Sequence, residues 1–270
     1  MANLRRPILL VGNRALAFLE FIGGIGYILA DTASAVPGGL VDKQGRRLGW
    51  QNLWAQMVRV GVRSIPIVML VLFCIGGILA LQMSPILKVY GALDKVAFII
   101  SIAIFRELGP LVSAIVLTGF AGASIAAELG TMVVSEEIEA LTAHAINPIR
   151  FLVLPRVLAT TVMMICVGIV GDLMGVAGGH VVSTTLLGVN PQQYFDLTFD
   201  APKVRDFLTG LIKCGVFGVV ISSLACYLGL SVTGGAQGVG VATTRTVVLT
   251  IVALILIDLT FTAAFYALGW

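Results

Sequence analysis

The chain has 270 residues, 58% of them hydrophobic and 11% charged, with mean hydropathy +1.03 and formal net charge +3. Soluble domains carry about 25% charged residues, so this composition excludes an ordinary soluble enzyme and requires an integral membrane protein. The small positive balance contains no basic run, which argues against a nucleic-acid partner.

The N-terminal region is basic from Met1 to Arg6 and then apolar. Ala33-Ser34-Ala35 resembles a signal-peptide cleavage site, but Arg14 and Glu20 interrupt the apolar run ahead of it. Residues 8–30 are therefore expected to lie as an uncleaved amphipathic helix in the membrane interface. Residues 50–62 should join them, because Trp50, Trp54, Arg59 and Arg63 are typical of a membrane boundary. This divides the chain into cytoplasmic or interfacial helices over 1–62 and a transmembrane domain over 63–270.

A membrane-spanning helix needs about 20 apolar residues, and five stretches qualify. The first is roughly 64–84, opening at Ile65-Pro66. The second lies within 96–132, too long for one crossing and broken by Gly109-Pro110. A short helix or kink is expected there, feeding a crossing from about 108 to 130. The others are roughly 152–182, 207–228 and 246–268. The fold class is an all-α integral membrane protein with about five transmembrane helices.

Five crossings put the termini on opposite sides. With the N-terminus inside, the inner segments hold Arg5, Arg6, Arg14, Lys43, Arg46, Arg47, Arg59, Arg63, Arg150, Arg156 and Arg245. The outer segments hold only Lys88, Lys95, Lys203 and Arg205, which favours a cytoplasmic N-terminus. Between the second and third crossings lies a charged segment, Ser135 to Pro148, on the cytoplasmic side. It reads as a capped helix over 135–146, too short to span. Ser135 suits the N-cap, while Glu136 and Glu137 suit the positive end of the helix dipole. His144 falls in the last turn and Asn147-Pro148 is expected to stop the helix. Ile138, Leu141 and Ala145 form a narrow apolar stripe on this polar rod.

Ionisable groups at membrane depth are Arg106, Glu107, Glu128, Asp172, Lys213 and Asp258. They either neutralise one another and pin the bundle, or line a cavity for a polar headgroup or for coupling. Arg106 and Glu107 are adjacent and point to different helix faces, so Lys213 and Asp258 are expected as their cross-helix partners. Glu128 lies near the inner end and should snorkel or cap. Gly171, Gly175 and Gly179 repeat on one face, and Gly119, Gly122 and Ala123 do similarly, for close packing within the chain or against a second copy. The four cysteines lie in apolar stretches and read as buried small hydrophobes. His144 and His180 are isolated, so no metal is expected. Gly234 to Gly240 lacks a following Gly-Lys-Ser/Thr and a preceding strand, so it reads as a flexible or re-entrant connector. No catalytic constellation appears, and no cofactor is expected in the chain itself.

Several motifs together resemble the MlaE-type permeases. They are Arg106-Glu107-Leu108-Gly109-Pro110, Gly119-Phe120-Ala121-Gly122-Ala123, Ala127-Glu128-Leu129-Gly130-Thr131-Met132 and Glu136 through Leu141 to Pro155-Arg156. Leu211-Ile212-Lys213 and Ala242-Thr243-Thr244-Arg245 complete the series, which covers about residues 50–268. The chain departs from that pattern at Phe120 and Val241, where relatives often carry a basic residue. The resemblance implies the membrane subunit of an ABC transporter moving phospholipids at a Gram-negative inner membrane. It implies a homodimer, a separate cytoplasmic ATPase that binds the ATP, an MCE-domain protein on the outer side and often a STAS-domain protein. It also implies that Glu136, Glu137, Ile138, Glu139, Leu141 and His144 belong to a coupling helix against the ATPase. Arg106, Glu107, Lys213 and Asp258 would then serve a lipid cavity or an intramembrane charge network. The alternative is an ion-coupled secondary transporter using Glu107, Asp172 and Asp258 as a proton relay, although such folds usually show inverted repeats and more spans.

Overall fold

The structure, a computed structural model, describes residues 2–35, 48–200 and 204–269. Lys43, Arg46, Arg47 and Lys203, which enter the charge comparison above, lie outside the described residues. Among the described residues every regular element is helical, and five helical runs are long and apolar enough to cross a membrane. These are Gln51–Val89, Leu93–Val134, Ile149–Thr185, Val204–Leu230 and Gly235–Ala267.

Helix α1 spans Ala2–Ala35. Helix α2, Leu48–Met57, continues through a π turn at Val58–Val62 and a two-residue turn into α3, Ile65–Val89. Residues 50–62, expected as a separate interfacial piece, are thus joined to the first crossing. Pro66 sits in the first turn of α3, where its missing N–H is not needed.

The second run is not broken at Gly109-Pro110. It comprises α4 (Val96–Ala103), a π turn (Ile104–Leu108), α5 (Gly109–Leu117), a second π turn (Thr118–Gly122) and α6 (Ala123–Val134). Proline cannot donate to the preceding turn, and a widened turn absorbs the defect without ending the helix.

The remaining helices are α7 (Glu137–Ala143), α8 (Leu154–Thr185), α9 (Pro191–Asp200), α10 (Val204–Leu230) and α11 (Gly235–Ala267). Helix α8 is the centre of the bundle, packed against α3 and α10. Its glycines make this possible. A Cβ on Gly178 would overlap the Phe73 carbonyl of α3, and one on Gly76 would overlap the Gly175 carbonyl. Gly171 and Gly179 likewise face Leu72 and Ile100, so the α8 stripe serves packing within the chain. Gly119 differs, because a Cβ there would meet nothing within 4 Å.

Of three apolar clusters among the described residues, the smallest joins Val68 and Leu72 of α3 to Val167 of α8, and the two larger lie toward opposite ends of the bundle. One, around Leu117, Ile125, Met164, Phe217 and Ile221, lies toward α7. The other, around Ala80, Ile100, Ile104 and Tyr194, is closed by α9 at the opposite end. Tyr194 is buried, stacks edge-on to His180 at 5.0 Å and donates to the Val176 carbonyl at 3.3 Å. Burial pushes its phenol pKa up. Helix α11 is peripheral, with Leu254 buried but Val252, Ile255, Leu256 and Leu259 exposed. It begins at Gly235, so the Gly234 to Gly240 stretch is mostly helix and not the expected connector. Gly234 and Gly235, at φ 87° and 68°, make the left-handed turn that precedes it.

Candidate functional site

Two groups of side chains stand out, one on a short exposed helix and one inside the bundle. Helix α7 is shorter than the 135–146 expectation, and its caps differ. Ser135 closes α6, its Oγ lying 3.0 Å from both the Thr131 carbonyl and Glu137 Oε1, either of which can accept its one proton. The N-cap is Glu136, in the left-handed region at φ 60°. Asn147-Pro148 does not end α7 either. The Ile146 N–H donates to Leu141 O and the Ala145 N–H to Thr142 O, both at 3.0 Å, with Ala145 at φ 58°. That is a Schellman ending, with alanine where glycine is usual. Asn147 Oδ1 instead accepts from the Ile149 N–H at 2.9 Å and so starts the next helical segment.

The apolar stripe of α7 also turns inward. Ile138 and Leu141 are half-buried against the core beside it, whereas Ala145 is exposed. The outward face is therefore Glu136, Glu137, Glu139, Ala140 and His144, a small acidic surface on a helix anchored by two apolar residues.

Inside the bundle, Lys213 of α10 is fully buried. Its ammonium lies 2.5 Å from Glu107 Oε2 and 2.8 Å from Asp258 Oδ1, and donates to Thr262 Oγ1 at 2.9 Å. The Thr262 hydroxyl reaches Glu107 Oε1 at 3.0 Å and the Asp258 carbonyl at 2.9 Å. Three helical runs thus converge on one cation: the π turn at Ile104–Leu108, α10 and α11. With all three groups charged, the cluster carries a net negative charge. Glu107 retains 35% side-chain exposure, beside the bare face of α11.

Arg106 takes a different partner from its neighbour. It pairs with Asp206 at 3.3 Å, two helical turns before Lys213 on α10. The expected grouping of Arg106, Glu107, Lys213 and Asp258 is thus two adjacent pairings along α10. Asp206 and Thr262 were not anticipated. Helical spacing offered a signal, since Thr262 lies one turn beyond Asp258 and Asp206 shares a face with Lys213.

Glu128 neither snorkels freely nor caps. Its Oε2 lies 2.9 Å from Arg59 Nη1 and 3.2 Å from Arg156 Nη2. Asp172 is buried beside Gly109, and its Oδ1 has no hydrogen-bond partner among the described residues. Cys214 and Cys226 are buried as expected, while Cys74 and Cys166 are exposed toward the bundle's outer surface. No group of His, Cys, Asp and Glu suited to a metal occurs among the described residues.

A charged cluster between spans, with an exposed acidic helix linking two of them, suits a transporter subunit better than an enzyme. Residues 53–264 match the family model described as Permease MlaE. The chain belongs to the MlaE permease family. It is thus a multi-pass membrane permease, as its motifs suggested. A probable ABC transporter permease protein of Rickettsia felis is 37% identical over 211 residues, 78% of this chain and 82% of that one. The intermembrane phospholipid transport system permease protein MlaE of Haemophilus influenzae is 29% identical over 96% of this chain and 97% of its own. A chloroplastic Arabidopsis thaliana protein, TRIGALACTOSYLDIACYLGLYCEROL 1, is 30% identical over 82% of this chain and 63% of its own. Two of these relatives bear permease names, and none of the three names describes an ion-coupled carrier.

Proposed function

We propose that this MlaE-family permease is the membrane subunit of an ABC transporter that moves phospholipids. Its ATP would be hydrolysed by a separate cytoplasmic ATPase. The observation that carries the reading is α7, an exposed acidic helix fixed between two crossings in a chain whose glycine stretch lacks a phosphate-binding sequence. The names of the Rickettsia and Haemophilus relatives support the ABC class and the phospholipid substrate.

Helix α7, with Glu136, Glu137, Glu139 and His144 outermost, docks on the ATPase as the coupling helix, while Ile138 and Leu141 anchor it to the bundle. Its three carboxylates call for a basic groove on the partner. Two copies of the chain assemble through exposed apolar surface such as that of α11, and the Glu107–Lys213–Asp258 cluster lies at the edge of the lipid cavity between them. The membrane is the inner membrane of a Gram-negative-type bacterium, with a cytoplasmic N-terminus. An MCE-domain protein receives or delivers lipid on the outer side, and a STAS-domain protein joins through the ATPase.

Affinity purification from the native membrane tests the reading. An ATPase subunit is expected in stoichiometric amount, with phospholipid movement into vesicles that requires ATP. Purified protein that moves phospholipid along an ion gradient, with no ATPase attached, would overturn it.

A further inference from the structure

Glu128 sits on the helix that leads into α7, and Arg156 on the helix that leads away from it. Arg59 comes from a third element, the π turn between α2 and α3. All three meet at one oxygen, Glu128 Oε2, at 2.9 Å from Arg59 and 3.2 Å from Arg156. Arg156 is 5% exposed, and its Nη1 also donates to the Leu152 carbonyl at 2.7 Å, so its guanidinium is held from two sides. The π turn is seated as firmly. A Cβ on Gly61 would collide with Met163 of α8, so only glycine lets the connector lie this close.

Leu129 of α6, Leu152 of the π turn before α8 and Val157 of α8 belong to one apolar cluster, but such contacts tolerate sliding. One carboxylate shared by two guanidiniums at these distances adds an electrostatic tie among the three elements. We infer that Arg59, Glu128 and Arg156 are positioning residues, an ionic clamp that makes the base of the α6–α7–α8 hairpin and the α2–α3 connector move as one lever. The inference rests on the transporter reading above. A push received at α7 would then reach α3 through Arg59 as well as α6 and α8, engaging three crossings together.

The test uses the complex of this chain with its copurifying ATPase, reconstituted in phosphatidylethanolamine and phosphatidylglycerol vesicles. The quantity read is phospholipid moved per ATP hydrolysed. Glu128→Gln should lower that ratio about tenfold, because it leaves Arg156 buried and unpaired. Arg59→Gln removes the half-exposed arm alone and should lower it about threefold, with the fold intact and ATPase still bound. Arg59→Lys should restore most of the loss. An unchanged ratio in both glutamine variants overturns the clamp, even if the melting temperature falls, since that outcome leaves the pairing a merely structural one. A wild-type complex that hydrolyses ATP but moves no phospholipid would overturn the transporter reading instead, and the clamp with it.

Discussion

Lys213 is the place where one substitution tests the internal charge cluster most directly. Lys213→Met keeps an apolar stem of similar length and removes an ammonium that is fully buried and contacts three oxygen-bearing side chains. Glu107 and Asp258 then face each other with the Thr262 hydroxyl as a remaining donor. Removing one member of a buried ion pair costs about 3–5 kcal/mol, because a desolvated charge is left behind. Here the lower end applies, since the Thr262 hydroxyl stays within 3.0 Å of Glu107 Oε1 and offsets part of the loss. At about 2–4 °C per kcal/mol for a chain of this size, a loss of about 3 kcal/mol lowers the melting temperature by about 6–12 °C. Differential scanning fluorimetry in detergent measures it. Adding Glu107→Gln and Asp258→Asn removes the stranded charges and should recover at least half of the drop. A single variant melting within about 2 °C of wild type would refute the reasoning. So would a triple variant melting no higher than the single.

Glu137→Lys with Glu139→Lys alters only the exposed face of α7, so the melting temperature should hold while ATPase copurification falls about tenfold. Gly178→Ala should cost about 2 kcal/mol, because the added methyl overlaps the Phe73 carbonyl, and unfolding in denaturing detergent would register it. Gly119→Ala meets open space and should stay within about 0.5 kcal/mol of wild type in the same assay. Ala145→Gly relieves a left-handed alanine, worth about 1 kcal/mol, against about 0.5 kcal/mol of added chain entropy, so a small rise in melting temperature is expected.

Much of the architecture was legible in the sequence because lipid imposes one strong rule, helical crossings of sufficient apolar length. That rule located all five runs, and the spaced glycines of α8 marked a face for close packing, though not its central place. Local conformation was harder. Pro110 was read as a break because proline removes a backbone donor, yet a π turn absorbs the same defect and leaves the helix continuous. Ser135 and Asn147 were assigned to the wrong ends of their neighbours, since each has capping chemistry that serves either adjoining helix. The Lys213 cluster was anticipated in its members but not in its pairing. Adjacent Arg106 and Glu107 diverge by one helical step, and only the packing of α10 decides which carboxylate meets which cation.

The two π turns in the second run have a consequence for how this sequence can change in length. Each holds one residue more than an α-helix of the same rise would need. Deleting one residue between Ile104 and Leu108 would let that stretch close as ordinary α-helix and leave the span unbroken. Because the π turn absorbs its extra residue locally, everything beyond it would keep nearly the same orientation relative to everything before. Residues facing α8 and α10 beyond the turn would go on facing them, and the change would fall on the turn itself, where Glu107 meets Lys213. A single-codon deletion here would cost little in alignment, whereas one in regular helix such as α6 would turn everything beyond it by about 100°, so the two π turns are where this span is expected to tolerate a change of length.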